Sequence, residues 1–126
     1  MQFPREIGLK RRPCNSRSEF DNYVTNLNGR ANIYTSLYRY ERRHPVKAWK
    51  YDPESVVMDR AWWDFDITPD TTIIDVKKDV HTLLGRLSGD VRVVATGRGF
   101  HVHQMFQNPV KGLSIGQHII RYENSV

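Results

Sequence analysis

Asp64-Phe65-Asp66 sets two carboxylates two residues apart, framed by Trp62, Trp63, Phe65 and Ile67. In an extended strand, residues i and i+2 project from one face, with Cβ atoms roughly 7 Å apart. Two carboxylates so placed reach one Mg2+ or Mn2+, or one ion each of a pair. Phosphate oxygens then complete the shell of such hard cations. Burying two acids beside so much apolar surface is costly unless a metal or an arginine pairs them. The plainer alternative is an exposed strand face with two surface acids. Thr96-Gly97-Arg98-Gly99-Phe100-His101 is a second candidate. Glycines allow a tight turn and close approach to a ligand. Arg98 offers a planar fork for phosphate oxygens, His101 a hydrogen-bond donor, and the turn's N–H groups an anion nest. A Gly-rich hairpin with a surface arginine and a half-buried histidine is the alternative. His101-Val102-His103 puts two imidazoles on one side of a strand, a pattern that suits a metal and also arises incidentally.

The elements that must position these residues are legible in outline. Arg5 to Leu9 reads as a short strand. Ser16 to Leu27 reads as a helix: Phe20, Tyr23, Val24 and Leu27 form an apolar stripe, and Ser18 with Asp21 resembles a capping pair. Asn28-Gly29 is a turn signal. Ala31 to Tyr40 reads as a strand, and Glu41 to Pro53, with its prolines and charges, as a loop. Ala61 to Ile67 is a strand with Trp62, Asp64 and Asp66 on one face and Trp63, Phe65 and Ile67 on the other. Asp75 to Leu87 is a helix along Val76, Val80, Leu83, Leu84 and Leu87, with Gly89 as its C-terminal cap. Val91 to Ala95 and Phe100 to Phe106 are strands about a turn at Gly97-Arg98-Gly99. The order of elements predicts an α/β fold, more strictly α+β: a two-layer sandwich whose mostly antiparallel, RRM-like sheet carries helices on one side. A length of 126 residues suits one domain spanning 1–126.

Composition narrows the partners. Lys and Arg number 19 against 14 Asp and Glu, a net charge of +5, which favours a polyanion. Lys10, Arg11, Arg12 and Arg17 lie near the start. Arg39, Arg42, Arg43, Lys47 and Lys50 interleave with Tyr34, Tyr38, Tyr40, Trp49 and Tyr51. That mixture suits phosphate contacts with base stacking; a solvated basic face over core aromatics is the alternative. No apolar run approaches the 18 or so residues of a membrane span, and the first residues lack an apolar signal core. The single cysteine, Cys14, excludes an internal disulfide and fits a reducing, intracellular (cytoplasmic) setting.

Taken together, Asp64-Phe65-Asp66, a helix, a short apolar strand and Gly97-Arg98-Gly99-Phe100-His101 resemble the catalytic small subunit of archaeo-eukaryotic primases. In that family a hydrophobic strand with Asp-x-Asp precedes a helix, a strand and a Ser-Gly-x-x-Gly-x-His motif or a shorter variant. Thr96 stands here in the serine's place. Pro4-Arg5-Glu6-Ile7 and Arg30-Ala31-Asn32-Ile33-Tyr34 resemble upstream family segments, so the likeness spans roughly residues 4 to 106. It implies a primase catalytic core that makes primers from nucleoside triphosphates on a single-stranded DNA template, at sites of replication. Asp64 and Asp66 would bind Mg2+ or Mn2+. His101, Arg98 and Thr96, with the Gly97 and Gly99 backbone, would contact the triphosphate, and Arg5 and Arg30 would line the nucleotide pocket. A primase large subunit or a helicase would be a further partner, and a membrane would not.

The sequence departs from the family in one motif. A third acid, an Asp after an apolar residue, lies downstream of the histidine there; here Glu123 is the only acid after His101. The cysteines of the zinc element found in many relatives are also missing. Three explanations stand: a core lacking its C-terminal part, substitution by Glu123, or a relative that binds nucleotides or nucleic acid without polymerising. A fourth reading takes His101-Val102-His103 as the metal pair of a single-strand-nicking replication initiator, with Tyr122 as nucleophile. The primase reading requires Asp64, Asp66 and His101 to line one cleft with Arg98 pointing inward; placement on opposite sheet faces would contradict it.

Overall fold

The computed structural model describes residues 1–111. They form an α+β protein with two antiparallel sheets and two helices. In chain order these are β1 (Arg5–Ile7), β2 (Arg12–Cys14), α1 (Arg17–Leu27), β3 (Arg39–Tyr40), β4 (Val56–Asp66), α2 (Ile73–Leu84), β5 (Val91–Thr96) and β6 (Gly99–Lys111), with a single 3-10 turn at Pro53–Ser55 before β4. The described residues divide into two compact units. One holds Met1–Met58 with Val110 and Lys111; the other holds Asp59–Pro109.

In the first unit, β1 and β2 form a hairpin with Arg5 opposite Cys14 and Ile7 opposite Arg12. Gly8 and Arg11 turn the chain at positive φ, 76° and 56°. The strand expected over Arg5 to Leu9 therefore ends at Ile7, where the chain begins to fold back on itself. Ile7, Cys14 and Tyr23 form the core, with Phe3, Phe20, Val24 and Leu27 packed around it. Burial pushes the Cys14 thiol up from its ordinary value, which keeps it protonated and unreactive. The apolar stripe expected on α1 is the face that makes this core.

The cap of α1 differs from expectation. Ser16, not Ser18, accepts from the Glu19 amide, and the Glu19 carboxylate accepts from the Asn15 amide. Asp21 instead pairs with Arg17 at 2.9 Å. The strand expected over Ala31 to Tyr40 shrinks to β3, which pairs Arg39 with Val57 and Tyr40 with Val56, plus one bridge between Ile7 and Thr35. Ser36 is the reason: its hydroxyl accepts from the Glu6 amide and donates to the Tyr38 carbonyl. A side chain that bonds nearby backbone competes with a regular ladder.

In the second unit β6 runs between β4 and β5. β5 and β6 pair in register from Val91 opposite Gln104 to Thr96 opposite Gly99. Helix α2 starts two residues earlier than expected because Thr72 and Asp75 form a reciprocal capping box. It ends at Gly85, so Gly89, with φ 81°, belongs to the following loop. That loop is tied to β6: Gln104 donates to the Ser88 carbonyl at 2.7 Å, and the Met105 amide to Asp90 at 2.9 Å. Val76, Val80, Ala61 and Val102 are buried in this unit. No helix among the described residues is long and apolar enough to cross a membrane. The element expected from Lys111 to Val126, with Tyr122 and Glu123, falls outside the described residues after Lys111.

The capping box generates a prediction. Thr72→Ala removes both the acceptor for the Asp75 amide and a donor to the Asp75 carboxylate; the expected loss is about 1 kcal/mol, read from a urea midpoint. Bonds from Thr72 hold the Asp75 carboxyl below its ordinary 3.8. Its stabilisation is therefore complete above that value and lost as pH falls through the lower folded value.

Candidate functional site

Alternation along β4 sends Arg60, Trp62, Asp64 and Asp66 to one face, and along β6 sends His101, His103 and Met105 to one face. Two contacts put these sets on the same side of the sheet. His101 Nε2 lies 3.4 Å from Asp64 Oδ1. Arg60 Nη1 lies 3.4 Å from His103 Nδ1. The Trp62 ring sits by both imidazoles, 5.1 Å from His101 and 6.3 Å from His103, centroid to centroid. Register extends the rows onto β5, where Arg92 stands opposite His103 and Val94 opposite His101.

The face changes character along its length. At one end His103 is buried, and Arg60 is bound by Asp59 through contacts of 2.8 and 3.0 Å. Burial, then the positive charges of Arg60 and His101, push the His103 pKa below its ordinary 6.5, against a smaller opposing pull from Asp59. His103 is therefore neutral near pH 7. At the other end the side chains open to solvent: His101 is 34% and Asp64 40% exposed, and Asp66 is exposed. Among the described residues Asp66 has no ion-pair partner, so two carboxylates and an imidazole are available at the open end.

The turn beside it is built by packing. A Cβ on Gly99 would fall on the Phe65 carbonyl, so only glycine fits there. At Gly97 a Cβ would meet nothing within 4 Å. Gly99 thus allows the close approach of β6 to β4, whereas no protein atom crowds Gly97. The Ile67 amide donates to the Arg98 carbonyl at 2.7 Å, and the Arg98 amide to Thr96 Oγ1 at 3.3 Å. The Arg98 backbone is thereby fixed while the residue stays exposed.

Asp64, Asp66, Thr96, Gly97, Arg98, Gly99 and His101 all belong to the second unit. Arg5 and Arg30 belong to the first. Arg5 is buried, and its guanidinium donates to the carbonyls of Gln2, Ser36 and Leu37 at 2.5 to 2.8 Å. Those bonds brace the chain around residue 36. Arg30 is exposed after the end of α1. Arg60 and Asp59 were missed by the sequence reading, because the strand was started at Ala61. Arg60 shares the parity of Asp64, which was the available signal.

Among the described residues no three His, Cys, Asp or Glu side chains gather as a set able to hold a metal ion. Asp64 and Asp66 suit a hard cation by donor type, with ligand oxygens supplying the rest of the shell. Set beside known proteins, the chain matches no family model, no curated protein and no solved structure.

Two predictions follow from this geometry. The His103 ring should titrate below 6.5 by NMR, and Arg60→Gln should raise its midpoint. Because the folded value is the lower one, stability should fall as pH drops below 6.5, where only the unfolded chain takes up the proton. Gly99→Ala should cost roughly 1–3 kcal/mol, measured by thermal unfolding, whereas Gly97→Ala should cost much less.

Proposed function

We propose that this chain is a metal-dependent nucleotidyltransferase core of the archaeo-eukaryotic primase type, making primers from nucleoside triphosphates on a single-stranded DNA template. The observation that carries the reading is the 3.4 Å approach of His101 to Asp64 on the open end of one sheet face. Asp66 lies two residues further along the same strand, and Arg98 lies in the adjoining turn. In this reading β4, β6, β5 and α2 belong to an RRM-like two-layer core, and the chain works inside the cell at sites of replication.

Asp64 and Asp66 are the residues that would hold Mg2+ or Mn2+, which supplies Lewis-acid activation of the primer 3′-hydroxyl and charge neutralisation on the triphosphate. His101 would donate to a phosphate oxygen through Nε2, which lies 3.4 Å from Asp64 Oδ1. Trp62 packs against the imidazole and limits its rotation. Arg98 offers a bidentate fork to the terminal phosphates, and Thr96 holds the turn that presents it. Arg5 has a structural role through its three carbonyl partners.

A second reading, a relative that binds nucleotides or nucleic acid without polymerising, is favoured by one observation: no third carboxylate joins Asp64 and Asp66 among the described residues. The nicking reading requires His103 as a metal ligand, and a buried imidazole facing the Arg60 guanidinium is poorly placed to accept a cation.

Isothermal titration with Mn2+ and a nucleoside triphosphate tests the site. Asp64→Asn with Asp66→Asn should lower metal-dependent nucleotide affinity by about 100-fold or more, and unchanged binding would remove the assignment. Primer synthesis on a single-stranded template separates the two readings. Product that falls by roughly 10²–10³ in the double variant supports polymerisation; nucleotide binding with no product supports the binding module.

A further inference from the structure

The five cations between Arg39 and Lys50 do two different jobs. Arg39 approaches Glu41 at 4.0 Å, and Arg42 is bound by Asp52 at 2.9 Å and approached by Glu54 at 3.9 Å. Arg43 lies over the Tyr51 ring, 5.1 Å from its centroid, and donates to the Ala48 carbonyl and to Asn15. These three arginines hold the segment together. Lys47 and Lys50 are exposed and, among the described residues, have no ion-pair partner. Trp49 lies between them and is 65% exposed; Val46 is 81% exposed.

This exposure comes from a closed loop. The His44 amide donates to the Lys50 carbonyl and the Lys50 amide to the Lys47 carbonyl, both at 2.9 Å. His44 Nδ1 accepts from the amides of Val46 and Lys47 at 3.1 and 2.9 Å. Arg43 and Tyr51 close its base as a β-bridge, and the Tyr51 hydroxyl donates to Asn15. The aromatics beneath are already engaged, since Tyr40 and Tyr51 stack at 5.2 Å. The loop engages its backbone groups and His44 Nδ1 internally and turns the side chains of Lys47, Trp49 and Lys50 outward.

We infer that Val46–Lys50 is a binding site for an unpaired nucleotide of single-stranded nucleic acid. Trp49 stacks on one base, and Lys47 and Lys50 take the flanking phosphates. Stacking needs an open π-face, phosphates need cations not already neutralised, and a closed loop lowers the ordering cost of binding. Every base has a π-face, so the site is tolerant of sequence. An anionic membrane also attracts Trp beside Lys, but one Trp and one Val offer little area for insertion. The inference stands apart from the nucleotidyl-transfer reading: it uses the first unit only and needs no metal.

The test is fluorescence anisotropy of a labelled oligo(dT) with the full chain over a range of salt. Trp49→Ala should weaken binding by about tenfold, while Trp49→Phe keeps most of it. Lys47→Ala with Lys50→Ala should flatten the slope of log affinity against log salt by about 1.4, or roughly 0.7 per phosphate. Binding should persist in EDTA, because the site uses no metal. Trp49 is largely exposed, so circular dichroism should show an intact fold in its variants. The inference is overturned if Trp49→Ala binds like the parent, or if EDTA abolishes binding. It is overturned too if Trp49 engages phosphatidylserine vesicles and not the oligonucleotide.

Discussion

Gly99 lies so close to the Phe65 carbonyl that any side chain there would collide with it. This approach sets the start of β6 against the end of β4, and the bond from the Ile67 amide to the Arg98 carbonyl secures it. Strand alternation then does the rest. With Gly99 beside Phe65, His101 comes opposite Asp64, and His103 comes beside Arg60. A slip of one residue would send both histidines to the opposite face, among Val102 and Gln104, which are buried. One glycine therefore governs whether the imidazoles and the carboxylates meet.

The face so formed separates its charges. At the buried end, Asp59 binds Arg60 and His103 stays neutral, so the positive charge of the guanidinium is balanced locally. At the open end the carboxylates are exposed, and His101 stands 3.4 Å from Asp64. Water screens that end, and among the described residues Asp66 has no ion-pair partner. A polyvalent cation with its own anionic ligand would replace weak solvation by direct coordination. His103, only two residues from His101, lies in the buried part of this face.

The local elements were legible where one signal dominated. The stripe of Phe20, Tyr23, Val24 and Leu27 gave α1, and the alternation around Asp64 and His101 gave the sides they face. What could not be read depended on partners distant in sequence. The Ser36 hydroxyl takes the Glu6 amide beside a ladder reduced to the Ile7–Thr35 bridge, and nothing near Ser36 signals Glu6 as its partner. The start of α2 moved because Thr72 and Asp75 close a capping box, whereas α1 kept its start and only its cap fell to Ser16 rather than Ser18. The glycines of the turn looked equivalent in sequence and differ only because Phe65 packs on one of them. Positive charge in the middle segment was legible as composition, but not its division between arginines bound by neighbours and lysines left at the tip.

The central claim is that Asp64, Asp66 and His101 work as one metal and triphosphate site. Paramagnetic broadening by Mn2+ in NMR spectra, recorded with a non-hydrolysable nucleoside triphosphate, tests it most directly. A shared site requires the resonances of Asp64, Asp66 and His101, and the amides from Thr96 to Phe100, to broaden first, and the effect to vanish in Asp64→Asn with Asp66→Asn. Broadening centred on other residues, or persisting unchanged in that double variant, would contradict it.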